Sequence, residues 1–123
     1  MRAFGAVLAA SLLLPAPAQA MSVADFLAKA AILKAKGMGA MFAPELGQVK
    51  TEIETISNSY RSDLAAQRAA GQTPHSCPPP KGKAKFTSNE IMAGFQAVPP
   101  AQRATTSVKT VFYALMKRKY PCA

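Results

Sequence analysis

The chain has 123 residues, with 15 Lys/Arg against 6 Asp/Glu, a formal charge of +9, two cysteines and one histidine. One histidine and two cysteines fall short of the four Cys/His ligands of a closed structural zinc site, and the length allows little beyond one small domain. The basic excess points toward anionic partners, whether an acidic protein, a membrane surface or a nucleic acid.

The first twenty residues read as an export signal. Arg2 supplies the positive start, Phe4 to Leu14 is an apolar run, and Ala18-Gln19-Ala20 has the small-x-small pattern that signal peptidase cuts. Residues 1–20 are therefore expected to be a signal peptide, and residues 21–123 one exported domain in the periplasm. That compartment argues against nucleic acid as a partner. It also lets a disulfide form and persist. No further apolar run of about 20 residues follows, so no membrane span is expected.

In the exported part, Ser22-Val23-Ala24-Asp25 marks a helix start. Val23, Phe26, Leu27, Ala30 and Leu33 recur at helical spacing, and Gly37 is a suitable stop. The spacing predicts a helix from Val23 to Lys36. Met38, Met41 and Phe42 lie in the glycine-rich link that follows and are expected to fill the core. Pro44 suits a first helical position. Leu46, Val49, Ile53, Ile56, Tyr60 and Leu64 then form one apolar stripe. This second, long helix should end at about Ala70, before Gly71.

Glycines and prolines from Gly71 to Gly82 rule out helix there. Cys77-Pro78-Pro79-Pro80 should be extended, and Lys81, Lys83 and Lys85 form an exposed basic strip. Thr87-Ser88-Asn89-Glu90 is a capping box, opening a short helix with Ile91, Met92, Phe95 and Val98 on one face. Pro99-Pro100 ends it. A last helix carries Val108, Val111, Phe112, Leu115 and Met116 inward, and Lys117-Arg118-Lys119 at its C-terminal end. Pro121 stops it and Cys122 follows. The fold class is thus all-α, a small bundle of about four helices. Two cysteines allow one intramolecular pairing, Cys77 with Cys122, in the C-terminal half.

Catalytic and metal constellations are weak. Glu52 and Glu54 stand two apart on a helix and diverge. His75 reads as an exposed loop histidine beside the disulfide. The methionines read as core filling. The expectation is a protein that is not an enzyme and holds no cofactor and no metal. Lys81, Lys83 and Lys85 have no local structural role and are candidates for contact with a protein partner or an anionic surface.

From Cys77 onward the chain resembles the Rap/Tai family of periplasmic immunity proteins of type VI secretion. The resemblance rests on Cys77 with Pro79, a helix from Ile91 to Val98, Pro99, a helix from Val108 to Met116, and Tyr120-Pro121-Cys122. It covers residues 77–122. It implies a small α-helical fold, the Cys77–Cys122 disulfide, and a non-enzymatic protein that binds and neutralises an incoming cell-wall-degrading effector, a hydrolase. The residues alone leave a second role open, a cationic envelope-binding or periplasmic stress (chaperone) protein.

Overall fold

The computed structural model describes residues 20–123. The signal-peptide reading falls on residues outside these, save Ala20. Among the described residues the fold is all-α, with helices α1 (Val23–Lys36), α2 (Pro44–Ala69), α3 (Ser88–Gln96) and α4 (Val108–Lys119). Short 3-10 turns cover Gly37–Phe42 and Pro100–Gln102. No described helix is long and apolar enough to cross a membrane.

Local chemistry places the helix boundaries. Ser22 Oγ accepts the Asp25 amide at 3.1 Å and caps α1. Gly37 ends α1 with φ +54°, a backbone geometry that costs glycine nothing. The capping box of α3 is complete: Thr87 Oγ1 accepts from the Glu90 amide at 3.1 Å, and Glu90 Oε2 accepts from the Thr87 amide at 2.8 Å. Ser107 caps α4 through the Thr110 amide.

The starts of α1 and α4 are tied together. Ser22 and Ser107 form an isolated antiparallel bridge, with Val23 N–H donating to Thr106 C=O at 2.8 Å and Val108 N–H donating to Met21 C=O at 2.9 Å. Arg103 serves the same junction. Its guanidinium donates to the Val98 and Gln96 carbonyls, each at 2.8 Å, satisfying the end of α3. Its own carbonyl accepts from Ala24 N–H.

Two apolar clusters hold the bundle. Val23, Phe26, Ile56, Phe95, Val108 and Val111 form the first, with Phe112 and Leu115 packed against it. Tyr60, Leu64 and Met116 form the second. The stripe of α2 therefore divides: Ile56 in its middle joins the cluster built with α1, α3 and the start of α4, and Tyr60 and Leu64 meet Met116 near the end of α4. Each large side chain buried this way contributes roughly 1.5–3 kcal/mol.

Two expectations are corrected. Met38, Met41 and Phe42 do not fill the core; they are 90, 75 and 90% exposed. The α1–α2 hairpin turns over before any other described element reaches it, so among the described residues none covers its tip. His75 is not an exposed loop residue but half-buried. Its ring lies 5.6 Å from that of Tyr113 and packs edge-on to Tyr60.

The disulfide Cys77–Cys122 is formed, with Cα atoms 4.9 Å apart. Cys77 N–H also donates to Tyr120 C=O at 2.8 Å. Replacing both cysteines by serine is expected to lower the unfolding free energy by about 4 kcal/mol, the loop-entropy value for a loop of this length. Urea unfolding at neutral pH measures it; a difference under about 1 kcal/mol would show that the crosslink carries no stability.

Candidate binding surface at the end of helix four

The loop from Gly71 to Phe86 has no regular structure and is fastened point by point. The Gln67 side-chain carbonyl accepts from His75 N–H at 2.7 Å. Fully buried Ser76 shares a hydrogen bond with the Tyr60 hydroxyl. Arg61 donates to the Pro79 carbonyl at 2.9 Å, pinning the proline run against α2. Lys85 N–H donates to the Tyr120 hydroxyl at 3.1 Å, and Lys119 Nζ donates to the Lys85 carbonyl. Phe86 packs edge-on against Tyr120 and lies beneath the Lys119 ammonium, 4.5 Å from the ring centre.

These fastenings bring together two basic segments that are distant in sequence. Lys85 is held against Lys119, and Lys81 and Lys83 are exposed on the adjoining turn, where Lys83 N–H donates to Pro80 C=O. Lys117, Arg118 and Lys119 are exposed in the last turn of α4. From Cys77 to Ala123, Glu90 is the one acid. It already accepts from Lys119, with the ion pair at 3.0 Å. Among the described residues the rest of the basic edge has no acidic partner.

A groove of about 770 Å³ opens beside this edge, between α3 and α4. The helices run antiparallel, so Glu90, Phe86, Arg118 and Lys119 line one end, and Gln102, Thr106 and Thr110 the other. Gly94 lies at its floor, against Leu115: a Cβ there would stand 2.8 Å from Leu115 Cδ2, so a larger residue would require the Leu115 side chain to shift. The groove is within the size range of ligand and side-chain pockets.

Other polar contacts are structural. Ser76 Oγ lies 3.2 Å from His75 Nδ1, but this hydroxyl is sealed from solvent, so no substrate carbonyl can reach it. Tyr113 donates to Asp63 at 2.7 Å and links α4 to α2; burial, then the Asp63 carboxylate, pushes its phenol well above the ordinary range. Among the described residues no group of three or more His, Cys, Asp or Glu is placed to hold a metal.

The disulfide cysteines and Lys85 thus lie together at the end of α4. The sequence reading placed Lys81, Lys83 and Lys85 on the surface but missed the groove, whose only trace is the small residues Ala93, Gly94, Ala97 and Ala114. Comparison with family models, with curated proteins and with solved structures gave no match.

The Glu90 carboxyl titrates below its ordinary value, chiefly because it accepts the Thr87 amide and then because of Lys119. A carboxylate depressed in the folded state stabilises above its unfolded pKa, near 4.3, and that contribution fades as pH falls through the folded value. Glu90→Gln is therefore expected to unfold less steeply below about pH 4 than the parent chain, as read by thermal melts across pH. Parallel curves would remove the role given to this carboxylate.

Proposed function

We propose that this chain is an exported, non-enzymatic binding protein that holds an acidic protein surface on its basic edge and seats an apolar side chain of that partner in the α3–α4 groove. In this reading it acts as the Rap/Tai proteins it resembles do, neutralising a cell-wall-degrading effector in the periplasm. The carrying observation is the joining of Lys85 to Lys119, which sets two basic segments beside one apolar groove. Clustered charge of one sign speeds encounter and selects partners of opposite charge. The buried polar groups of the loop are bonded to one another, which keeps the surface in one shape before the partner arrives.

Export has its own support. Met21 N lies 3.3 Å from Glu52 Oε1, and Met21 packs against the first apolar cluster. Cleavage after Ala20 would turn that amide into an ammonium facing a carboxylate. In the processed protein, Glu52→Gln is expected to cost about 0.5–1 kcal/mol, as for a partly exposed ion pair, measured by urea unfolding at pH 6. No change would separate the new terminus from Glu52.

The functional test is inhibition. The purified protein is titrated into secreted peptidoglycan amidases, above all any encoded next to it, and lysis of cell-wall suspensions is followed by turbidity. Inhibition at a one-to-one ratio is expected. Reversing the strip (K81E, K83E, K85E) should weaken it by roughly tenfold or more, with a matching sensitivity to salt. Undiminished lysis with every hydrolase tried, or inhibition indifferent to the reversed charges, would overturn the proposal.

A further inference from the structure

The α1–α2 hairpin carries a surface that the basic edge does not explain. Among the described residues the large apolar side chains left exposed are Ile32, Met38, Met41 and Phe42. They are not scattered. Ala28, Ala31, Ile32 and Ala35 are exposed at helical spacing on α1, opposite the face that buries Val23 and Phe26. The stripe runs into the tip, where Met38 and Phe42 stand almost fully in solvent. The backbone beneath is a closed 3-10 turn, so its own polar groups are partly satisfied.

The charge around this stripe is mainly positive. From Phe26 to Pro44 the sequence holds Lys29, Lys34 and Lys36 and no acid. Lys36 reaches toward Glu45 at 3.8 Å, at the edge of the stripe. An apolar ridge rimmed by three lysines and a single acid, Glu45, is complementary to an anionic bilayer: the apolar side chains enter the headgroup–acyl boundary and the ammonium groups remain among the phosphates. The shape agrees. The tip is convex and built of flexible methionines and one phenylalanine, which a fluid surface receives without a preformed pocket. A second copy fits less well, because a two-fold contact through this face would set the same lysines against one another.

We infer that the α1–α2 hairpin, through Ile32, Met38, Met41 and Phe42, docks this protein peripherally onto an anionic membrane surface. The inference stands on a different surface from the proposed effector site, and its test contains no hydrolase, so the two fail separately. The tip lies at the start of α2 and the basic edge beside its last turns. Docking by the tip leaves the basic edge at the far end of α2 from the lipid.

The experiment is co-sedimentation with vesicles of phosphatidylcholine containing about one-third phosphatidylglycerol, and with phosphatidylcholine alone, at low and high salt. The parent chain and its variants carry the same N-terminus. The parent is expected to bind the anionic vesicles, more weakly as salt rises. Met38→Ser with Phe42→Ser should lower the partition coefficient by roughly tenfold or more. Its circular dichroism and melting temperature should stay at parental values, because neither side chain packs on the fold. Lys34→Glu should weaken binding and flatten the salt dependence. Three results would overturn the inference: no binding to anionic vesicles at low salt; binding lost on reversing Lys81, Lys83 and Lys85 but kept by the tip variant; or a parent that dimerises in sedimentation velocity, ignores vesicles, and becomes monomeric when the tip is changed.

Discussion

The architecture hangs on the closure at Cys77. Without it, the segment after α2 would be a long glycine- and proline-rich tether with no apolar stripe of its own. The Cys77–Cys122 bond, with the Cys77 amide on the Tyr120 carbonyl, returns this tether to the end of α4. Everything characteristic of that end follows. Tyr120 is then placed to accept from Lys85, Lys119 to lie over Phe86, and Ser76 to sink beneath the Tyr60 hydroxyl. A buried hydroxyl is tolerated only when bonded, so Ser76 and Tyr60 require one another, and together they require the crosslink that holds the loop down.

Helix α2 separates the apolar tip from the basic edge. At 1.5 Å per residue, its 26 residues span about 39 Å. Its first turn adjoins the apolar tip. Its second half carries Tyr60, Arg61 and Leu64, which receive the loop and α4. A molecule this small has little core to spare. Four exposed large apolar residues at one end are therefore a cost to solubility, and a crowded basic edge at the other a cost to stability, that binding would offset.

Much of the fold could be read from the residues. Gly37, Pro44 and the Thr87–Glu90 box act over three or four residues, so their effect on helix boundaries needs no knowledge of the rest. The Leu46–Leu64 stripe likewise announced a buried face. What escaped depended on tertiary path. Apolar Met38, Met41 and Phe42 suggested a core position, but only the arrangement of the other helices decides whether anything covers a hairpin tip. His75 lacked any periodic signal and is half-buried because Tyr60 and Tyr113 flank it from two helices. The basic strip was visible as composition. Its meeting with α4 and with the groove was not, because Lys85 and Lys119 are 34 residues apart. Arg103 carries no local signal of its role, because the carbonyls it closes at the end of α3 are set by the turn between them.

The most direct measurement is amide hydrogen exchange on the oxidised and the gently reduced protein, compared residue by residue. If the crosslink organises the functional end, reduction will strip protection from the amides of Cys77 and Lys85 and from the last turn of α4, while the amides of α1 and the first half of α2 keep theirs. Equal protection at Cys77 and Lys85 in both redox states would contradict the account, since the loop and its basic edge would then hold their place with no covalent tie.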